Sequence, residues 1–198
     1  MSTQTLSQIS SLYIVLPFLL IIFITAMVLR HRQSRPAGFS IADKMILTGM
    51  LIGYLILYAY LTLSYRQPSD QPQINLEPLW SYREAFRIKA GSIRIRRLGL
   101  ARQILLNLLV MIPIGLLLPL VYHRCCHPYI LAALTGFILS VMTETVQYFT
   151  RLGLCELDDV FHNTLGCLLG VLLLHLGAWG TSRICRHPKA NHSNHQEH

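Results

Sequence analysis

The stretch from Thr143 to Gly166 sets polar side chains between two runs of almost pure hydrocarbon. If the helix before it continues to Arg151, then Glu144, Gln147 and Arg151 stand at positions i, i+3 and i+7 and share one face. A charged side chain near the centre of a bilayer costs about 2.5 kcal/mol or more. Glu144 must therefore face a polar cavity, pair with a cation or be protonated. In a catalytic site, a desolvated Glu144 would act as general base and Arg151 would stabilise a developing anion.

A second polar group opens the helix that follows. Asp159 and Asn163 are four residues apart on one face. In a catalytic site, Asp159 or His162 would supply the second proton-transfer group beside Glu144. Asp158 or Asp159 is equally suited to capping this helix, where a carboxylate interacts with the positive end of the dipole. His162 is ambiguous between proton transfer and simple packing, and Glu156 is expected to lie in a solvated loop.

A third segment contributes Asn107, one turn inside an apolar run that Pro113 and Gly115 are expected to bend. We predict that Asn107 shares one polar pocket beneath the outer membrane face with the residues of the other two segments. A purely structural role, in capping helices and joining the bundle, is the alternative. No metal site or cofactor is predicted, because the five cysteines match no metal or disulfide framework. The predicted binding residues are Asn107, Glu144, Gln147, Arg151, Asp158, Asp159 and Asn163, with Glu144, Arg151 and Asp159 as catalytic candidates.

Long apolar segments must position these side chains. Of the 198 residues, 53% are hydrophobic and 13% are charged, whereas soluble domains carry about 25% charged residues. The sequence therefore predicts an all-α, polytopic membrane protein built as a bundle of about five transmembrane helices. The five runs that approach the roughly 20 residues of a spanning helix are Ser11–Leu29, Met45–Tyr65, Gln103–Tyr122, Pro128–Tyr148 and Val160–Gly180.

The basic residues lie mostly in loops beside the apolar runs. Arg30, Arg32 and Arg35 follow the first run, which favours an N-terminus outside the cell, although the basic residues of all loops together do not decide the orientation. The net charge of +8 is better matched by membrane lipids than by nucleic acid, since no nucleic-acid-binding motif accompanies it. The basic part of loop 66–102 is predicted to be an interfacial segment, with a site for an anionic substrate as the alternative.

Several motifs together resemble the VanZ-like family. They are the N-x-x-x-x-x-P-x-G of "NLLVMIPIG", the E-x-x-Q, Arg, D-D and N-x-x-G of "ETVQYFTRLGLCELDDVFHNTLG", and "INLEPLWSY". In the last of these, Leu79 stands where the family usually has Phe. The resemblance covers Ile74 to Leu174. We accordingly divide the chain into an N-terminal two-helix membrane region, 1–70, a VanZ-like membrane domain, 71–180, with the outer loop 66–102, and a disordered His-rich tail, 181–198.

The founding member of that family is associated with resistance to teicoplanin, a lipid-tailed glycopeptide that acts on cell-wall precursors. The resemblance implies a multi-pass protein of the bacterial inner membrane, concerned with glycopeptide susceptibility or envelope physiology. We expect it to bind a lipid-linked cell-wall precursor or a glycopeptide in the outer-facing pocket. The alternative is an intramembrane hydrolase or transferase acting on a lipid or cell-wall precursor, with Glu144 as general base. A transporter is a weaker candidate, since the sequence shows no inverted repeat.

Overall fold

The computed structural model describes residues 40–64, 70–71, 73–87, 93–122 and 125–184. The first apolar run, Ser11–Leu29, lies outside the described residues, as does the tail beyond Ile184. In chain order the elements are helix α1 (Ile41–Ser64), strand β1 (Gln73–Asn75), helices α2 (Trp80–Arg87), α3 (Ile93–Val121) and α4 (Pro128–Thr150), strand β2 (Leu154–Glu156) and helix α5 (Leu157–Ile184).

Four of the described helices are long and apolar enough to cross a membrane, which confirms an all-α, multi-pass fold. The helix α3 differs from its prediction, because it begins at Ile93 rather than at Gln103. The additional turns carry the basic segment, which is helical but too polar for an apolar run to detect. The candidate spans are Ile41–Leu63, Leu98–Val121, Pro128–Thr150 and Leu157–Gly177.

The ends of the spanning helices follow from local sequence. Ser40 and Asp43 form a capping box at the start of α1, in which each side chain accepts the backbone N–H of the other residue, at 2.9 and 3.1 Å. Pro128 opens α4, where its missing N–H would have no helical partner. Arg151 ends α4 in the left-handed region, with φ 58°. Gly153 follows with φ 96°, a conformation that glycine adopts without steric cost.

Helix α3 lies at the centre of the bundle and packs most extensively against α5. Every residue from Met111 to Leu118 is buried, so this part of α3 is covered on all sides. The contact with α5 depends on small residues. A Cβ added at Gly115 would lie 2.0 Å from the Cys167 carbonyl oxygen, and one added at Gly170 would lie 2.3 Å from the Ile112 carbonyl oxygen. The two backbones therefore touch, as in other membrane helix pairs with glycine at the contact.

Two tyrosine side chains of α1 form hydrogen bonds to α3 and α4. The Tyr54 hydroxyl donates to the Val110 carbonyl oxygen of α3 at 2.8 Å, and the Tyr58 hydroxyl lies 2.9 Å from the Thr143 hydroxyl of α4. Both rings are buried, at 4% and 3% exposed. These bonds satisfy polar groups that the surrounding hydrocarbon cannot satisfy.

The strands β1 and β2 pair in parallel on one side of the bundle, with Gln73 opposite Leu154 and Asn75 opposite Glu156. Strand β1 belongs to the connection between α1 and α3, and β2 joins α4 to α5. Both connections therefore lie at the same membrane face, together with the C-terminal ends of α1 and α4 and the N-terminal ends of α3 and α5. This is the face where the sequence predicts the polar residues to gather.

Candidate functional site

A chain of hydrogen bonds joins α3 to the start of α5. Asn107 Nδ2 donates to Asp159 Oδ1 at 2.6 Å, and Gln103 Nε2 donates to the same oxygen at 3.3 Å. Gln103 Nε2 also donates to Glu156 Oε2 at 2.6 Å. Asp159 and Glu156 are both buried. Two amides of α3 thus hold two buried carboxyl groups, which satisfies polar atoms that are removed from water.

Three of these side chains, those of Gln103, Asn107 and Glu156, border an open cavity of about 590 Å³, here called the polar pocket. Its lining includes the exposed cation Arg102 and the carboxylate Glu156, so charges of both signs border the cavity. Leu106 and Leu154 make part of the lining apolar. The residues that line the polar pocket are Gly99, Arg102, Gln103, Leu106, Asn107, Gly153, Leu154 and Glu156.

Glu144 contacts strand β2 and is not among the residues that line the polar pocket. Its Oε2 accepts the backbone N–H of Glu156 at 2.9 Å, and its carboxylate also accepts a hydrogen bond from the Cys155 thiol. The side chain is 5% exposed. Glu144 therefore holds the strand that brings Glu156 to the polar pocket.

Two of the predicted amides join helices of the bundle. Gln147 Nε2 donates to the carbonyl oxygen of Thr62, in the last turn of α1, at 3.2 Å. Asn163 Nδ2 donates to the Ser140 hydroxyl at 2.8 Å and so links α5 to α4. The amide oxygens of Gln147 and Asn163 are buried and have no hydrogen-bond partner among the described residues. Both residues join helices, as side-chain amides commonly do inside membrane bundles.

Asp158 caps a helix, but the helix is α2 and not its own. Its Oδ1 accepts the backbone N–H of Leu79 at 2.6 Å, and its Oδ2 accepts that of Ser81 at 2.9 Å. Leu79 has φ 56°, in the left-handed region. A residue with a Cβ costs roughly 1–2 kcal/mol there. The buried carboxylate of Asp158 holds this strained turn in place.

His162 and Arg151 lie apart from the polar pocket. The buried His162 places Nε2 2.9 Å from the Tyr82 hydroxyl of α2, which agrees with a packing role. The Arg151 side chain is exposed, and its Nη1 donates to the Asp70 carbonyl oxygen at 3.3 Å. Arg151 therefore ties the chain before β1 to the end of α4.

The predicted site residues thus occupy neighbouring but separate positions. Asn107 lines the polar pocket, and Asp159 accepts a hydrogen bond from Asn107. The remaining five hold β2, the chain before β1, the turn before α2, or the helices themselves. Their role in binding stays a prediction. Gln103 and Glu156 were missed, and the expectation that Glu156 is solvated is wrong, because it is 4% exposed in the structure. Gln103 precedes Asn107 by four residues on the same helix face, and this spacing is the signal that would have found it.

The pKa of the Cys155 thiol reflects its burial and the buried acids around it. Burial, and then the neighbouring charge and hydrogen bond of Glu144, raise the pKa of the thiol to about 11. Asp159 and Glu156 add to the effect, which places three carboxylates around one sulfur atom. Cys155 is therefore a neutral thiol at physiological pH.

We expect the reaction of Cys155 with a maleimide to be slow at neutral pH and to keep accelerating up to about pH 11, because only the thiolate reacts. The measurement needs a variant in which Cys155 is the only cysteine. A second variant that keeps only Cys125, which is exposed, is the control for the reagent's own pH dependence. A rate for Cys155 that levels off near pH 9 would contradict the placement of its thiol beside Glu144.

The donor groups do not indicate a metal centre. In the part of the chain that the structure describes, no group of three or more His, Cys, Asp or Glu side chains is placed to hold a metal ion. One oxygen of each acid, Glu156 Oε2 and Asp159 Oδ1, is instead engaged by the amides of Gln103 and Asn107.

These features define a multi-pass helical membrane protein with a polar site at one membrane face, closed by a short parallel ladder between two loops. The chain belongs to the VanZ/LLP1 family, whose family model matches residues 45–178. The resemblance inferred from the sequence motifs is thereby confirmed. No curated protein and no solved structure shows significant similarity to the chain.

Proposed function

We propose that this protein binds a lipid-tailed ligand at the outer face of a bacterial cell membrane, with the polar part of the ligand in the polar pocket. The observation that carries the proposal is the cavity of about 590 Å³ lined by Arg102, Gln103, Asn107 and Glu156. Concave sites with a few convergent polar groups on a partly apolar lining are typical of small-molecule binding.

The surroundings of the polar pocket favour a ligand with a hydrocarbon tail. One side of the pocket is formed by the first turns of the span Leu98–Val121. On the same stretch of helix, Leu98 and Leu105 are 62% and 54% exposed, so they present apolar surface to the membrane next to polar lining. A ligand with a polar head and a lipid tail satisfies both surfaces at once, because its tail stays in hydrocarbon while its head enters the pocket.

The charges of the lining indicate the chemistry of the head. Arg102 is suited to a phosphate or carboxylate, which a guanidinium binds through two parallel hydrogen bonds. Glu156 also borders the pocket, but it is 4% exposed and accepts a hydrogen bond from Gln103, so Arg102 is the charge that decides the choice of head. Lipid-linked cell-wall precursors and lipid-tailed glycopeptides such as teicoplanin have such heads. The association of the VanZ-like family with teicoplanin resistance supports this choice of ligands and the cell envelope as its setting.

The second candidate function is an intramembrane hydrolase or transferase with Glu144 as general base. Such a base must reach the proton it removes within about 3 Å or through one water. Glu144 is 5% exposed and accepts the backbone N–H of Glu156. These contacts support a structural role for Glu144, and we therefore place binding ahead of catalysis.

Photo-crosslinking tests the binding proposal. Purified protein in lipid nanodiscs is irradiated with a photoreactive lipid-linked cell-wall precursor or a photoreactive lipid-tailed glycopeptide, and products are analysed by mass spectrometry. We expect Arg102→Gln to weaken binding about tenfold, as loss of a charge-assisted hydrogen bond would. Asn107→Ala should also weaken it. Arg83→Gln, an exposed arginine outside the pocket, is the matched control and should bind as the wild type does.

The competing results are distinct. Equal labelling of wild type, Arg102→Gln and Asn107→Ala would contradict a ligand in the polar pocket. Competition by a tail-free analogue as strong as that by the tailed ligand would contradict the role of the lipid tail. A cleaved or transferred product that disappears in Glu144→Gln would instead support the enzyme.

A further inference from the structure

A second cavity, of about 500 Å³, lies between α4 and α5, and we call it the apolar groove. On α5 it extends from Leu157 to Thr164, which corresponds to about 10 Å along the helix axis. Phe137 of α4 and Phe161 of α5 line it and are 52% and 54% exposed. The groove therefore lies within the membrane-spanning segments and is lined by large apolar side chains that the bundle itself leaves half uncovered.

The end of the groove at the membrane face is closed by a turn that the protein holds in a strained conformation. Pro78 and Leu79 line the groove there, and Leu79 has φ 56°. Its side chain is 48% exposed, so burial of the leucine does not offset the strain. The turn persists because buried Asp158 accepts the backbone N–H groups of Leu79 and Ser81. Strain that is maintained by buried neighbours is characteristic of ligand-contacting segments.

A cation stands beside this turn. Arg83 Nη2 donates to the Pro78 carbonyl oxygen at 3.0 Å and to Glu77 Oε2 at 3.1 Å. The Arg83 side chain is 55% exposed, and that of Glu77 is 72% exposed. The guanidinium is therefore next to a residue that lines the groove and is accessible from the membrane face. Arginine at this level of a bilayer attracts lipid phosphate groups.

We propose that the apolar groove binds one acyl chain of an anionic phospholipid of the surrounding bilayer, and that Arg83 binds the phosphate of that lipid. Both parts of such a lipid are matched on the protein, because the groove is lined by apolar side chains and Arg83 lies beside its end at the membrane face. A segment of an extended hydrocarbon chain fits the apolar lining of the groove. The groove shares no lining residue with the polar pocket, and this proposal does not depend on the function proposed above.

The groove is tested by lipid retention. Delipidated protein is titrated with phosphatidylglycerol, and bound lipids are counted by native mass spectrometry. Leu157→Trp fills the groove, whereas Leu172→Trp changes the same residue type at a similarly exposed position of α5 outside it, the two leucines being 39% and 42% exposed. We expect at least fivefold weaker binding of one phosphatidylglycerol in Leu157→Trp and wild-type binding in Leu172→Trp. Phe161→Ala, which removes one side of the groove, should weaken the same lipid.

The role of Arg83 is tested by comparing a variant of Arg83 with a variant of its ion-pair partner, Glu77. We expect Arg83→Gln to weaken the retained phosphatidylglycerol severalfold and Glu77→Gln to leave it unchanged or tighter, because removal of Glu77 frees the guanidinium for phosphate. Equal losses in both variants would show that only the ion pair matters and would overturn the phosphate contact. Equal retention by wild type, Leu157→Trp and Phe161→Ala would overturn the groove site, including the case in which residues 11–29 of the chain occupy it. Neither result affects crosslinking in the polar pocket.

Discussion

Replacement of Gly170 by alanine should force α3 and α5 apart and destabilise the whole bundle. The new Cβ would lie 2.3 Å from the Ile112 carbonyl oxygen and 2.8 Å from the Gly115 Cα. Both are backbone atoms, so neither is able to rotate away. Overpacking of this kind costs about 1–3 kcal/mol. Alanine alone would favour a helix by about 1 kcal/mol relative to glycine, and a lowered melting temperature in detergent would therefore report the clash.

Gly53→Ala is the matched control for this experiment. Gly53 lies inside helix α1, and a Cβ added there meets nothing within 4 Å. We expect the melting temperature of this variant to equal or exceed that of the wild type. If Gly170→Ala and Gly53→Ala melted together, the direct contact between the backbones of α3 and α5 would be wrong.

Replacement of Glu144 by alanine should loosen strand β2 and displace Glu156 from the polar pocket. The backbone N–H of Glu156 would lose its acceptor inside the protein, and an unsatisfied buried donor costs about 1–3 kcal/mol. The Cys155 thiol would lose the same partner. We therefore expect faster maleimide labelling of Cys155 at neutral pH, weaker ligand crosslinking, and a lowered melting temperature.

Glu144→Gln separates the structural role from proton transfer. The amide oxygen of glutamine accepts the Glu156 N–H as the carboxylate does, so we expect this variant to keep most of the stability and most of the ligand binding. A folded Glu144→Gln protein that binds the ligand but forms none of the cleaved or transferred product seen with the wild type would contradict the purely structural role. It would favour Glu144 as general base.

The spanning helices were predictable because hydrocarbon surroundings demand long apolar segments with every backbone bond made inside the helix. The run Met45–Tyr65 anticipates α1 (Ile41–Ser64) to within a few residues at each end. The first turns of α3 were missed, since they carry the basic segment from Ile93 and lie outside the apolar run. The strands were also not predicted. Each has only three residues, which is too short for an alternating hydrophobic pattern, and their pairing joins distant parts of the chain.

The site was predicted at the level of its membrane face and not of its contacts. Polar residues near the ends of the spans were expected to gather at one membrane face. Asn107 and Asp159 meet this expectation, because they form a hydrogen bond with each other. Helix periodicity places a side chain on a face, but it does not choose among the partners available on that face. Asp158 illustrates this limit: its position predicts a cap, whereas only the tertiary structure reveals that the capped helix is α2.

The contact between Leu79 and Asp158 joins residues 79 positions apart in the chain. Because the ribosome supplies β2 and α5 long after residue 79, the ladder is able to form only once β2 has emerged, and this bond only once α5 has started. The pairing of the two loops over this membrane face is thus a late event of folding, and contacts of such long sequence separation form slowly.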